Sequence, residues 1–301
     1  MDVLVREARP LISREHGPVT VREARPEDWL DCGRICYEAF ATVAARHGFP
    51  PDFPSVPAAA EPIRELINHP KIHGVVAQRD GRIVGSSFLD ERSLIAAIGP
   101  VTVDPAAQDD GVGRRLMEAM LERVAERRAP GVRLVQIAYH NRSLSLYTKL
   151  GFDVRASFVA MHGEPIGLDV PGHAVRVANP DDQSACNELC IRVHGHDRAG
   201  ELSDAIAAGT ARVVEHLGRI TGYTAGIVYW SHSVAETNDD LKALIGAATD
   251  YGRPGFLVPL DNPELFRWSL AHGLRVFFMT NLMTVGIYQE PRGAYMPSVG
   301  Y

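Results

Sequence analysis

A short motif occurs twice in this chain, in two copies that lie 154 residues apart. Val21–Asp28 has the sequence VREARPED and Val175–Asp182 has VRVANPDD. Each copy is an alternating β-branched run that ends in a proline and acidic residues, a pattern typical of a strand that leads into a helix N-terminus. An apolar helical spacing follows both copies. Because 301 residues suggest about two domains of ~150 residues each, we predict two tandem copies of one α/β domain.

The repeat also sets the predicted domain limits. Residues 1–18 include another VREARP string at Val5–Pro10, but no helical pattern follows it, so we interpret them as an N-terminal arm. The first domain is predicted at 19–168, a linker that contains Pro171-Gly172 at 169–174, and the second domain at 175–301.

Strand and helix patterns alternate through both halves, which indicates a mixed sheet flanked by helices, of the α/β (α+β) class. In the first half the predicted helices are Glu61–Asn68, Val112–Arg128 and Ser143–Leu150, and the predicted strands are His73–Arg79, Arg82–Leu89, Ile95–Val103, Arg133–Ala138 and Asp153–Met161. In the second half the predicted strands are Ala211–Glu215, Arg219–Tyr229, Gly255–Pro259 and Arg275–Gln289, and the predicted helices are Asp239–Ala248 and Pro263–His272.

Composition excludes several classes of function. With 31 Lys and Arg against 37 Asp and Glu, the net charge of −6 argues against a nucleic-acid-binding protein. The sequence has no apolar stretch of membrane-spanning length and no secretory leader pattern, so we expect a cytoplasmic protein without membrane partners. The four cysteines follow helical spacing in two C-x3-C pairs, which predicts buried reduced thiols and no metal site.

The segment from Val101 to Leu116 is the most informative about chemistry. An apolar strand runs into Pro105, and a loop with Gly111 and Gly113 then leads directly into a helix. Free backbone N–H groups at such a helix start can cradle phosphate oxygens, and a diphosphate is the natural ligand. The loop is neither a nucleotide P-loop nor a complete Rossmann fingerprint.

A second motif follows about thirty residues later, NRSLSLYTKLGF at Asn141–Phe152. The pattern Gln108-x-x-Gly111-x-Gly113 followed by this motif resembles the GNAT superfamily of acyl-CoA-dependent N-acetyltransferases, over about Val19–Gly163. The resemblance implies that acetyl-CoA is the cosubstrate and that Tyr147 protonates its departing thiolate. The residues that it implies for cofactor binding are Val101, Thr102, Val103, Gln108, Asp109, Asp110, Gly111, Val112, Gly113, Arg114, Arg115, His140, Asn141 and Ser143.

Two points of the site stay open at this stage. The family often has Asn seven residues before the tyrosine, where this chain has His140 with Asn141 next to it; His140 could also titrate near neutral pH. The general base is undetermined among four candidates, Glu38, Asp90, Glu91 and His140.

The second half repeats the element order without the chemistry. Where the cofactor loop would stand, no glycine pair occurs, and Glu236, Asp239 and Asp240 would repel a diphosphate. Ser269 takes the place of the tyrosine, and Asn262 is the candidate remnant of the family's Asn. We therefore predict a degenerate GNAT-like domain that binds no acetyl-CoA. Its apolar tail, Ala294–Tyr301, either adds a strand to its own sheet or reaches the active site, where the Tyr301 carboxylate is a candidate.

The resemblance predicts an enzyme that transfers acetyl from acetyl-CoA to an amine by direct attack, without an acyl-enzyme. A small molecule or a peptide could be the acceptor, and a homodimer is left open. The alternative is a noncatalytic acyl-CoA-binding or sensing protein.

Overall fold

The computed structural model describes residues 17–300, which form thirteen strands and eight α-helices. The first half contains β1 (Thr20–Glu23), α1 (Trp29–Arg46), α2 (Val56–Asn68), β2 (Ile72–Arg79), β3 (Arg82–Asp90), β4 (Ala96–Val103), α3 (Val112–Glu126), β5 (Gly131–Ile137), α4 (Asn141–Lys149) and β6 (Asp153–His162). The second half contains β7 (His173–Val177), α5 (Gln183–His194), α6 (Ala199–Ala207), β8 (Arg212–His216), β9 (Arg219–Thr224), β10 (Ser233–Ala235), α7 (Asn238–Ala247), β11 (Phe256–Pro259), α8 (Pro263–Ala271), β12 (Arg275–Gly286) and β13 (Ala294–Met296). Within the described range, every helix is too short or too polar to cross a membrane.

The repeated motif has the same structural role in both halves. Asp28 accepts hydrogen bonds from the Arg22 guanidinium at 2.7 and 2.9 Å and from the Arg25 backbone N–H, so the carboxylate ties β1 to the start of α1. In the second half, Asp182 binds Arg176 at 2.7 Å through both oxygens. The hydrogen bonds from Arg22 hold the pKa of Asp28 below its usual value. In each half, the motif therefore links a strand to the start of the helix that follows it.

The mixed α/β fold predicted from the sequence is confirmed, and most strands and helices begin and end within a few residues of their predicted limits. The β2–β3 hairpin turns at Asp80 and Gly81, both with positive φ, as the Asp-Gly dipeptide requires. All four cysteines are buried and free, as predicted.

Several predicted limits are wrong. The helix α2 starts at Val56 and not at Glu61, because Ser55 caps it and Pro57 is tolerated in its first turn. The strand predicted at Arg219–Tyr229 ends at Thr224, whose hydroxyl accepts from the Gly226 N–H and stabilises a loop. Strand β7 begins at His173, inside the predicted linker. The short elements α6 and β10 escaped prediction, whereas β13 at Ala294–Met296 is the strand that the apolar tail was expected to add to its own sheet as one of two alternatives.

The two halves share one sheet. Its strand order is β1-β2-β3-β4-β5-β12-β6-β11, so β12 of the second half lies between β5 and β6 of the first. In return, β6 lies between β12 and β11 of the second half. The other strands of the second half form a separate sheet with the order β13-β10-β9-β8-β7. The halves are thus joined by exchanged strands as well as by the linker.

Candidate active site

A cleft opens where two neighbouring parallel strands diverge. Strands β4 and β5 pair only at Ala96 and Ala97, near their N-terminal ends, and then separate. The cleft has a volume of about 1210 Å³, and its walls come from both halves of the chain. The β5-facing edge of β4 beyond Ala97 makes no ladder bonds to β5, which leaves backbone groups of Val101–Val103 available to an extended ligand.

The N-terminus of α3 faces this cleft. Gly111 precedes the helix in the left-handed conformation, with φ of 77°, and no side chain caps the helix start. The first-turn N–H groups therefore lack intrahelical partners, and the helix dipole adds partial positive charge there. This arrangement suits the anion predicted from the sequence.

Most of the predicted cofactor-binding residues line the cleft. The exceptions are Asp110 and Arg115. Asp110 forms an ion pair of 2.7 Å with the buried Arg79, and Arg115 donates to the Val19 carbonyl, so both side chains are engaged elsewhere. Asp109 stands at the mouth of the cleft, where Arg142 pairs with it.

Tyr147 lies on α4 with its side chain 8% exposed, and it lines the same cleft. Its hydroxyl has no hydrogen-bond partner within residues 17–300. Burial raises the pKa of Tyr147 to about 12, so the phenol is protonated at neutral pH. A protonated phenol in an apolar wall can donate a proton to a leaving group, and no acceptor among residues 17–300 competes for it.

The exchanged strand supports the helix that carries Tyr147. The side chain of Gln136 on β5 donates to the His140 carbonyl at 3.0 Å and to the Ser143 hydroxyl at 3.1 Å, which fixes the entry into α4. Asn281 on β12 holds Gln136 in turn, with Nδ2 3.0 Å from Oε1. A side chain of the second half therefore helps to orient the first half's site.

The structure changes the interpretation of His140. Burial and the nearby cation Arg142 lower its pKa to about 4. The imidazole is therefore neutral at physiological pH, and the expectation that it titrates near neutrality is wrong.

Three of the four general-base candidates predicted from the sequence already form ion pairs with arginines. Asp90 binds Arg92, Glu91 binds Arg123, and Glu38 binds Arg34. Only Asp90 and His140 of the four line the cleft. Sequence reasoning missed a fifth group, Asp52, which lines the cleft from the loop between α1 and α2. The signal available for it was a lone carboxylate between Phe49 and Phe53 in a proline-rich loop.

In the second half, the residues that correspond in sequence to the glycine loop and to Tyr147 make hydrogen bonds that hold helix ends and backbone in place. Asp240 accepts from the Thr237 N–H at 3.0 Å and closes the start of α7. Ser269 is buried and donates to the Leu265 carbonyl, while Asn262 caps α8.

The C-terminal segment reaches the cleft. Val299 and Gly300 line it. The Val299 N–H donates to the Tyr229 carbonyl at 2.9 Å, and the Gly300 carbonyl accepts from the buried Arg198 at 3.0 Å. The predictions for Tyr301 and for most of the N-terminal arm lie outside the described residues.

Comparison with known proteins agrees with this geometry. Residues 41–152, which include the loop at Gln108–Gly113 and Tyr147, match the Acetyltransferase (GNAT) family. This segment of the chain is therefore similar to a GNAT acetyltransferase domain. A mycothiol acetyltransferase of Nocardia farcinica is 41% identical over 63 residues, which are 21% of this chain and 21% of that protein. The chain thus matches about a fifth of that relative's length.

Solved structures show the same fold over nearly the whole chain. A protein from Pyrococcus horikoshii described as a candidate acetyltransferase superposes with a TM-score of 0.72 at 19% identity, covering 91% of each chain. A tandem GNAT protein from the clavulanic acid biosynthesis pathway gives a TM-score of 0.57 at 15% identity, covering 89% of this chain and 98% of that one. The predicted fold, two tandem copies of a GNAT-like α/β domain, is therefore confirmed.

Proposed function

We propose that this protein transfers the acetyl group of acetyl-CoA to a primary amine. The observation that carries the proposal is that one cleft joins three features: an uncapped helix start at α3, an unpaired edge of β4 and the buried hydroxyl of Tyr147. In this proposal the α3 start binds the diphosphate and the β4 edge pairs with the pantetheine arm. Tyr147 donates its proton to the sulfur that leaves.

The reaction proceeds by direct attack. The amine nitrogen forms a bond to the thioester carbon, the carbon–sulfur bond breaks, and a backbone N–H at the cleft stabilises the charge that develops on the carbonyl oxygen. A thiol has a pKa of about 8.5 and a phenol about 10 in water, so donation is uphill there. Desolvation within the cleft raises the pKa of the departing thiol as well as that of Tyr147, so the two pKa values shift in the same direction.

An enzyme fits the cleft better than a noncatalytic acyl-CoA sensor does. Beyond the residues proposed for acetyl-CoA, the same cleft continues past Asp52, Phe53 and Trp230. An acceptor therefore has space to enter. We propose that this activity belongs to the first half and that the second half, whose α7 start is closed by Asp240, binds no acetyl-CoA.

Thermal-shift titration tests the binding step. Acetyl-CoA at a hundred times its dissociation constant should add about 2.7 kcal/mol to the free energy of unfolding. Release of free CoA thiol, measured with an amine panel, tests turnover. Stabilisation without thiol release from any amine would favour the sensor.

Gly113→Glu should weaken CoA binding by at least about 100-fold. A Cβ at this position comes no closer than 3.5 Å to a neighbour, the Leu146 side chain, so the fold tolerates the change. The new carboxylate would enter the proposed phosphate cradle and repel the diphosphate. Isothermal titration with CoA measures the effect.

Arg115→Gln is the matched control for this variant. It alters net charge by the same amount in the same helix turn, but its side chain faces Val19 and not the cleft. Its CoA affinity should stay within about threefold of the original. Equal affinities of both variants would remove the loop from the binding site.

A further inference from the structure

Asp52 is a carboxylate without a partner in the wall of the cleft. Its Oδ1 atom is buried and accepts no hydrogen bond, and no residue of the described range 17–300 forms an ion pair with it. The titratable groups that face it are Cys36 on α1, Tyr139 after β5 and Tyr229 after β9, all of them neutral at pH 7. Burial raises the pKa of Asp52 to about 6. A carboxylate left in this state requires a ligand that supplies positive charge or a proton.

Aromatic side chains from both halves flank Asp52. The ring of Phe53 lies 6.5 Å from that of Phe40 and 6.4 Å from that of Trp230, and Trp230 meets Tyr229 edge-on at 5.7 Å. All four rings line the cleft. Trp230 keeps 42% of its surface exposed although it is a large apolar group. Such a wall favours an apolar ligand, and its ring faces attract a cation.

Charge divides the cleft into two ends. Of the charged residues that line the cleft, Arg114 lies on α3 and Arg142 and Lys149 lie on α4, beside the proposed CoA site, whereas Glu65 lies on α2, Asp204 lies on α6 and Asp52 lies near Tyr229. Arg92 also lines the cleft, but Asp90 and Asp204 neutralise it through ion pairs of 2.5 and 2.9 Å. Arg253 stands over the Phe277 ring. The end with the aromatic wall therefore suits a ligand with one positive charge.

We propose that Asp52 and the wall formed by Phe40, Phe53, Tyr229 and Trp230 are the acceptor subsite, which takes a primary amine on an alkyl or arylalkyl group and uses Asp52 as proton acceptor. This inference rests on the proposed acetyl transfer. The ammonium group binds against the Asp52 carboxylate with its apolar chain along the rings.

The proton balance is complete with these groups. The ammonium gives one proton to Asp52 and becomes the free amine, whose electron pair forms the bond to the thioester carbon. The carbon–sulfur bond breaks and the sulfur takes the Tyr147 proton. The second nitrogen proton leaves with solvent, Tyr147 is reprotonated from solvent, and Asp52 releases its proton to solvent, so the products are an N-substituted acetamide, CoA and one proton.

The test measures kcat/KM for two primary amines with the unaltered protein and for one of these amines with two variants. We expect the unaltered protein to acetylate 2-phenylethylamine with a kcat/KM at least tenfold above that for 2-methoxyethylamine. Asp52→Asn should lower kcat/KM for 2-phenylethylamine by about 100-fold. Asp31→Asn, an exposed carboxylate on α1 outside the cleft, should leave it within twofold.

The pH profile separates proton transfer from a structural role. The active form of Asp52 is ionised, and burial raises its pKa to about 6. Therefore kcat/KM should keep its full value above pH 6 and fall tenfold per pH unit below it. Asp52→Asn should lose this limb, and Asp52→Glu should restore it in part. A variant that merely misfolds would lower activity at every pH and would show a lower Tm.

The outcomes distinguish a failure of the proposed acetyl transfer from a failure of the proposed acceptor subsite. Failure to bind CoA in isothermal titration would overturn the proposed function itself. If the protein binds CoA and acetylates amines, equal or better turnover of 2-methoxyethylamine overturns the substrate class. An acid limb that survives in Asp52→Asn overturns the role of Asp52 as proton acceptor.

Discussion

Tyr147→Phe is expected to lower kcat by about 100- to 1000-fold, the range typical for loss of a positioned general acid. The variant removes one oxygen from a buried ring that packs 6.1 Å from Phe152, so the packing of α4 is retained. CoA affinity should stay within about twofold, because the proposed phosphate and pantetheine contacts come from β4 and the start of α3. Single-turnover thiol release measures the chemical step, and isothermal titration measures binding.

Tyr37→Phe is the control for this variant. Tyr37 is half-buried on α1 and does not line the cleft, so loss of its hydroxyl should leave kcat within twofold. The difference in kcat between the two variants should be largest with an acetyl thioester whose thiol has a high pKa, because departure of that thiolate depends most on proton donation. Full turnover by Tyr147→Phe would assign the proton to solvent and remove the tyrosine from the mechanism.

The positions of the residues in the loop proposed to bind CoA followed from local sequence. Gly111, with its positive φ, and the helix that starts immediately after it are encoded within a few residues, and the same holds for the Asp80-Gly81 turn. Such features depend on backbone conformation that only certain residues adopt, so a single sequence reveals them. The predicted residues of this loop that face the cleft do so because they share one turn of chain.

Long-range features could not be predicted in the same way. Asp52 stands out only when Tyr229 and Trp230, from the other half of the chain, close over it, and no spacing in the sequence brings these residues together. His140 carries no local signal of burial, yet burial is what lowers its pKa. Asp109 and Asp110 occur side by side in the chain, but their different partners, Arg142 and Arg79, set their directions.

The insertion of β12 between β5 and β6 is the largest structural feature that the sequence repeat did not predict. Two copies of a motif predict two domains, but periodicity does not say which copy supplies the strand beside β5. An apolar strand such as β12 satisfies either sheet, and only tertiary packing selects the neighbour. The consequence is that the second half is part of the first half's sheet even if it binds no acetyl-CoA.

Residues 1–168 expressed alone should therefore fail to form a cooperatively folded domain. Without β12, the facing edges of β5 and β6 lose their only shared neighbour, and the first half's core loses Met283, which is fully buried in it. Open apolar edges of this kind associate with other chains. We expect an insoluble fragment that becomes soluble when it is produced together with residues 169–301. A soluble 1–168 monomer with a sharp unfolding transition would contradict the shared sheet.

A point variant of the intact chain tests the same coupling without truncation. Leu282 on β12 is fully buried between Val135 of β5 and Ala156 of β6, so Leu282→Ala should lower the free energy of unfolding by about 2–5 kcal/mol. Val276→Ala on the same strand, at a side chain 46% exposed, should cost under about 0.5 kcal/mol. Because the sheet spans both halves, urea unfolding followed by hydrogen exchange should show β5 and β11 losing protection together in Leu282→Ala. Separate transitions for the two strands would mean that the halves fold independently despite the exchange.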